Sequence, residues 1–499
     1  MASSAEKRVG AACEDLARLE VAVRARVHVE ADQALWSVLQ RSISRALDYD
    51  MRVCPWEYIE SHAWKLEEAC WMALGVLLSG PLDAQARAQA MLPGALGGLA
   101  LGLPTRTRAA ATFQATHAAH AQAAALLSAR LRRPHNGRQD DEAARRAAEV
   151  LRDAGVDVRG GEPTFTMAAR RRYEAGPWHS DTPTSEVFRF PVHATRSAAP
   201  GSAPAVAAGP PRAQRGHVHG RTLLGLDALA ATELHAELDV HRQTSMLQAG
   251  GPGSGSFWST VPDRPALRMA NSQWAVSTKC RLGICRAPEA GLTCVLQNRG
   301  DDEPCGAPLD SNLHHPTVCR AGAGRLKSHT AAVAVLMKHL RATGAFVALE
   351  AAIPELYLID DDGVVHERFM DLVVWWPGGS RRYLLDVTIR SLFAAGLTTP
   401  HLLPGAAARE GEKDKTRHYR AALQALATLH RESAEFGRLR PGTTNASALA
   451  LGRLRADLEA EVARHAAQTQ LAALGGMSLR ALGWATSAQQ WRRNDAHGN

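Results

Sequence analysis

Five of the chain's eight cysteines, Cys280, Cys285, Cys294, Cys305 and Cys319, fall within one forty-residue stretch. No other feature narrows so strongly what the chain can build. Eight cysteines in 499 residues are too sparse for a disulfide scaffold, so the clustering points to metal binding in a reducing compartment. The segment "CVLQNRGDDEPCGAPLDSNLHHPTVC" adds His314 and His315 to Cys294, Cys305 and Cys319. Thiolate and imidazole are the donors zinc prefers, and four of them close a tetrahedral structural site. The expected Zn²⁺ set is Cys294, Cys305, His315 and Cys319, His315 having the better offset to Cys319 and His314 being its competitor. The ten residues between Cys294 and Cys305 are a looser spacing than C-x-x-C, and the competing reading is buried free cysteines beside an incidental His-His pair. Cys280 and Cys285 flank "RLGI" on an expected helix and read as core residues.

Alanine is abundant and aromatics are few, which favours helices over an all-β architecture. The fold class expected is α+β and mostly α-helical. Apolar residues at three- and four-residue spacing mark a helix in "EDLARLEVAVRARVHVEADQALWSVLQRSISRAL", and "ATFQATHAAHAQAAALLSARLRR" reads as an Ala-rich helix. Between them "LPGALGGLALGLPTRTRAA" lacks the lysine of a phosphate-cradling loop, so its glycines read as sites of close backbone packing. "HATRSAAPGSAPAVAAGPPRAQRGHVHG" reads as a linker. The formal charge of +8 and pI of about 9.2 permit a polyanionic partner without requiring one. The N-terminus has no signal-peptide core, and the longest apolar stretches are too short and too broken to span a bilayer. The expectation is an intracellular protein, nuclear or cytoplasmic, with no membrane partner.

Downstream, "SHTAAVAVLMKHLRATG" reads as a helix and "AFVALEAAIPELYLI" as an extended stretch containing Glu350. "RFMDLVVWWPGGSRRYLLDVTIR" then supplies two strand-length apolar runs joined at Pro377-Gly378-Gly379, each with one aspartate. Side chains alternate across a strand, so Asp371 shares a face with Val373 and Trp375, and Asp386 with Leu384, Thr388 and Arg390. If the runs pair, both aspartates lie on one face, where gathered carboxylates stay ionised beside a cation such as Mg²⁺ or Mn²⁺. The order helix, Glu strand, Asp strand, Asp strand, helix is that of restriction-like nuclease cores, whose usual lysine position is Thr388 here. Lys413 and Lys415 on the following helix are the candidates to replace it. The alternative is that both aspartates pair with Arg368, Arg382 or Arg390.

In order, these segments resemble the C-terminal portion of non-long-terminal-repeat retrotransposon proteins of the restriction-like (PD-(D/E)XK-type) endonuclease class. The Gly-Gly-Leu-Gly-Leu stretch, "SGSFWSTVPDRPALRMANSQWAVSTKCRLGICR", the Cys/His knuckle and Ser328-His329-Thr330 carry the first part of the resemblance. "RFMDLVVWW" is similar to the family's Arg-Pro-x-Asp strand, with Phe369 in place of proline, and "LLDVTIRS" to its Asp-Val-Thr strand. "EGEKDKTRHY" puts Lys415 and Tyr419 in the family's positions, with Lys413 as the alternate.

The resemblance implies a small α/β core with a mixed sheet flanked by helices, plus a zinc knuckle that aids nucleic-acid binding. It also implies divalent-metal-dependent nicking of DNA, with Glu350, Asp371, Asp386 and Lys415 catalytic and Asp371 and Asp386 holding Mg²⁺ or Mn²⁺. DNA, and the element RNA, are the implied partners. No Tyr-x-Asp-Asp signature occurs, so no reverse transcription is expected, and an inactive nucleic-acid-binding remnant is the alternative. The expected organisation is a helical region over 1–130, a charged helix and linker over 131–220 and a helical connector over 221–290. The knuckle over 291–327, a nuclease core over 328–435 and a C-terminal helical segment over 436–499 follow.

Overall fold

The computed structural model describes residues 2–25, 31–54, 56–108, 110–111, 138–158, 164–175, 215–251, 254–285, 291–297, 303–310, 313–319, 321, 324–359, 362–377, 382–391, 393 and 406–430, with 454, 456–458, 460–468 and 470. Most of the Ala-rich helix expected over 111–133, most of the expected linker, the Gly378-Gly379 turn and most of 436–499 lie outside them. The chain divides into two compact units, Met1–Ala249 with Thr486–Asn499, and Gly250–Ala485. Helix dominates the described residues, and the sheets are small and antiparallel.

The first unit holds α1 (Ala2–Ala25), α2 (Ala31–Arg41), α3 (Asp50–Val53), α4 (Glu60–Leu77), α5 (Ala84–Met91) and α6 (Arg138–Asp153). After them come the short strands β1 (Val156–Asp157) and β2 (Thr164–Phe165), then α7 (Met167–Ala175), α8 (Arg215–Glu237) and α9 (Val240–Ala249). α1 packs on α4. It buries Ala5, Val9, Ala12 and Leu16, the three-and-four spacing that puts apolar side chains on one helical stripe, while α4 buries Ala63, Leu66, Cys70 and Leu74.

The glycine-rich tract before residue 105 packs backbone against backbone, as its composition suggested. A Cβ on Gly97, whose φ is 86°, would stand 2.6 Å from the Met246 carbonyl oxygen, and one on Gly98 only 1.9 Å from that of Leu92. Nearby, Asp83 caps α5 by accepting the Ala86 N–H at 2.7 Å and pairs with the buried Arg242 guanidinium at 3.0 Å. Asp83→Ala removes the cap and leaves that buried cation with Gln85 as its remaining side-chain acceptor. A loss of about 2 kcal/mol is expected, read as a lower urea midpoint. An unchanged midpoint would show that the pair contributes nothing.

The second unit carries α10 (Asn271–Arg281), α11 (His315–Val318), α12 (Gly324–Ala342), β3 (Phe346–Ala352), β4 (Leu358–Ile359), β5 (Val365–His366), β6 (Phe369–Trp375), β7 (Arg382–Leu385) and α13 (Ala406–His430). The helical residues of 454–470 belong to its core. Ala460 and Ala467 are fully buried, Ser277 Oγ donates to the Ala463 carbonyl at 3.1 Å, and Gln470 Nε2 donates to the Leu313 carbonyl at 3.0 Å.

Strands β3, β6 and β7 form one sheet in that order. Both pairings are antiparallel, which corrects the mixed sheet expected for a restriction-like core. The connections explain the difference. Only six residues separate β6 from β7, too few for the crossover that a parallel pair needs. One face of the sheet packs Leu372 and Val374 against Val333, Leu336 and Leu340 of α12, and the other packs Val373 and Leu384 against Tyr419 of α13.

Candidate functional site

The two flanks of the loose Cys294–Cys305 spacing run antiparallel and bridge Thr293 to Pro308 and Gln297 to Pro304. The Cys294 N–H donates to the Ala307 carbonyl at 2.8 Å, the Cys305 N–H to Leu296 at 2.8 Å and the Gly306 N–H to Cys294 at 3.0 Å. Gly306 takes a φ of 66°, a conformation that suits a residue without Cβ. On the other side Asp310 accepts the N–H groups of His314 at 2.9 Å and His315 at 2.6 Å, anchoring the turn into α11. His315 opens that turn and Cys319 follows it, so four residues bring both donors to one side.

The donor atoms of Cys294, Cys305, His315 and Cys319 all lie within 4.8 Å of one another. Cys294 and Cys319 Sγ are 3.9 Å apart, and Cys305 Sγ is 3.4 Å from His315 Nε2. A tetrahedral zinc with Zn–S of about 2.3 Å and Zn–N of about 2.0 Å has edges of roughly 3.8 and 3.5 Å. The cluster could therefore hold a metal ion such as zinc. His314 is not in the set; its ring stacks on Phe393 with centroids 3.5 Å apart. Cys280 and Cys285 also stay outside it, packed in the surrounding apolar cluster, with Cys285 just beyond α10 rather than on it. Burial pushes the Cys319 thiol up to about 12, a cost that a dication would reverse by binding the thiolate.

The acidic residues lie along one line across the sheet. The β6–β7 register pairs Leu372 with Leu385, and one further step sets Asp371 opposite Asp386, which falls one residue beyond β7. The β3–β6 register passes from Leu349–Leu372 to Ala351–Met370, so Glu350 stands opposite Asp371. The period-two reading of both aspartates is thus reproduced. Glu350 departs from it: its backbone is left-handed at φ 44°, its side chain is exposed, and it forms no ion pair or hydrogen bond among the described residues. Among the described residues, only the Cys/His set brings three or more such donors within 4.8 Å, so Glu350, Asp371 and Asp386 do not close on one point.

The two aspartates are held individually. Asp371 Oδ2 accepts the Val387 N–H at 2.5 Å and lies 3.1 Å from His329 Nε2. That nitrogen is also 3.1 Å from the Val387 carbonyl oxygen; with two acceptors beside it, it carries the proton. Asp386 Oδ2 accepts from Tyr419 Oη and from Lys415 Nζ, each at 2.7 Å. Burial, then the hydrogen bond to Asp386, raises the Tyr419 pKa and keeps its hydroxyl a donor. The second oxygen, Oδ1, of each aspartate has no partner among the described residues. Lys413, the alternate to Lys415, pairs with Glu410 at 2.7 Å instead.

Three participants left no local signal. His329 and Asp371 are 42 residues apart, and the sequence alone marked His329 only through the resemblance. His418 accepts a hydrogen bond from Arg368; burial and then the nearby Arg368 and Lys415 charges lower its pKa, so it stays neutral there. Gly411 lets α13 approach the chain after Asp386, since a Cβ there would lie 2.9 Å from Thr388 Cγ2 and 3.3 Å from Arg390 Cγ. No family model, curated protein or solved structure matches the chain.

Proposed function

We propose that the second unit nicks DNA, with Asp371 and Asp386 holding Mg²⁺ or Mn²⁺ and Lys415 acting beside them, while the Cys294/Cys305/His315/Cys319 knuckle holds zinc and aids nucleic-acid binding. The observation that carries this is the 2.7 Å contact of Lys415 Nζ with Asp386 Oδ2, next to a second aspartate across the strand pair. It replaces from a helix the cation that Thr388 cannot supply. The metal's contribution is to polarise a phosphodiester and lower the pKa of a bound water. Val387 N–H and His329 orient Asp371, and Tyr419 orients Asp386. Lys415 presents its charge where negative charge builds on a phosphate. The reading agrees with the retrotransposon-class resemblance, which would place DNA, and element RNA, as partners.

The direct test is conversion of supercoiled plasmid to the nicked circle in Mg²⁺ or Mn²⁺. No nicking in either metal by zinc-loaded protein would sink the proposal. One observation favours a binding remnant without catalysis: the Oδ2 of each aspartate is already engaged, and Glu350 contributes no third ligand. That reading predicts salt-sensitive DNA binding that survives replacement of both aspartates.

Gly411→Ala probes the seating of α13. Overpacking of about 1–3 kcal/mol, offset by about 1 kcal/mol of helix propensity, leaves a net loss near about 1 kcal/mol. Nicking should fall with it, because Lys415 lies one turn along from Gly411. Unchanged stability and activity would show that Thr388 and Arg390 yield to the methyl group freely.

A further inference from the structure

The sheet face that carries the aspartates has a second, different row at its other end. Register pairs Phe346 of β3 with Trp375 of β6, and Trp375 with Arg382 of β7. Residues paired directly across strands project from the same face, so Phe346, Trp375 and Arg382 form a line parallel to Glu350, Asp371 and Asp386. Ala348, Val373 and Leu384 form the line between them. Trp375 is four residues from Asp371, about 14 Å along a strand.

This end is open where the acidic end is covered. α13 contacts the turn Pro354–Leu356 beyond β3 and the residues after β7, so it crosses the sheet at the acidic rows. Phe346, by contrast, is 55% exposed, although it stacks on Trp375 with ring centroids 5.7 Å apart and an interplanar angle of 22°. Arg382 is exposed and has no partner among the described residues. No aspartate or glutamate occurs in 338–349 or 372–385, the segments that build this end. A stacked aromatic pair with Phe346 exposed, in register with unpaired Arg382 and without acids in its own segments, complements a ligand that has planar rings and a negatively charged backbone.

We infer that the Phe346–Trp375–Arg382 row is a stacking site for an unpaired base of a single-stranded polynucleotide, with Arg382 on its phosphate. Duplex DNA keeps its base faces stacked inside and offers this row nothing beyond phosphate, so the site selects a frayed or single-stranded segment. The inference extends the nuclease reading by naming the substrate form, and it is tested by binding alone.

The experiment measures fluorescence anisotropy of labelled oligo(dT) on the full chain in EDTA-free buffer without Mg²⁺ or Mn²⁺. Parallel titrations use an abasic strand of equal length and a duplex. Wild type should bind oligo(dT) more tightly than the abasic strand. Phe346→Ala should weaken oligo(dT) binding about tenfold and leave the abasic strand and duplex unchanged, and Phe346→Trp should restore it. Arg382→Ala should weaken oligo(dT) and the abasic strand alike. Equal binding of oligo(dT) and the abasic strand by wild type, or no effect of Phe346→Ala, overturns the assignment. So does self-association of the chain that Phe346→Ala abolishes without changing oligonucleotide affinity, since the row would then serve a protein contact. Stacking that survives in a protein unable to nick plasmid keeps this site and removes the nuclease reading; nicking without base-dependent binding does the reverse.

Discussion

Cys319→Ser is expected to empty the Cys/His centre and unravel the segment around it. Wild-type protein purified without chelator should carry close to one equivalent of zinc, and the variant almost none. The argument is geometric. Cys294 and Cys319 are buried, and their sulfurs sit a tetrahedral edge apart. Structural zinc binding is worth roughly 10–16 kcal/mol in small isolated sites, so losing one ligand removes a large part of what orders 291–319. Limited proteolysis should therefore cut the variant, and the chelated wild type, within this segment. Cys280→Ser is the control: Cys280 lies outside the donor set, hydrogen-bonding Gln470 at 3.2 Å, and its replacement should leave the zinc content intact. Wild-type protein free of metal and indifferent to chelator would refute the site.

Asp386→Asn is expected to lower plasmid nicking by about 10³-fold or more while leaving duplex binding nearly unchanged. The amide keeps the size of the side chain, and its oxygen can still accept from Tyr419, so the fold should hold. What disappears is the charge that would bind a dication and that pairs with Lys415. Lys415→Ala should cost roughly 10²–10³-fold, and Lys413→Ala nothing, because exposed Lys413 is engaged with Glu410. Nicking that is indifferent to Asp386→Asn would discard the site, and equal sensitivity to both lysines would discard the role given to Lys415.

The placing of the two aspartates on one side of the sheet was legible in the sequence. Alternation alone put Asp371 with Val373 and Trp375, and the observed register does the same because a strand's period of two leaves no other choice once one face is buried. The glycine tract before residue 105 was likewise legible, since glycines without a phosphate-loop lysine have close packing as their remaining use. The direction of the sheet was misread. A mixed sheet followed from the family pattern, whereas the six residues between β6 and β7 allow only an antiparallel pair. Glu350 was read on an extended stretch and lies in β3, but it carries a left-handed backbone, which no feature of "AFVALEAAIPELYLI" announces.

By itself the sequence determined the elements and their chemistry: a predominantly helical chain, thiol and imidazole donors gathered in one segment, and one aspartate in each of two strand-length apolar runs. These follow from periodicity and from donor type, which are local properties. Only the tertiary structure decided which alternatives those donors use. It set His315 rather than His314 against the thiols, Lys415 rather than Lys413 on Asp386, and His329 on Asp371. Each choice turns on a helix being rotated or closely seated against an element far away in the chain, and such contacts are set by packing at Gly411, Asp310 and Val387 that leaves no trace in local spacing.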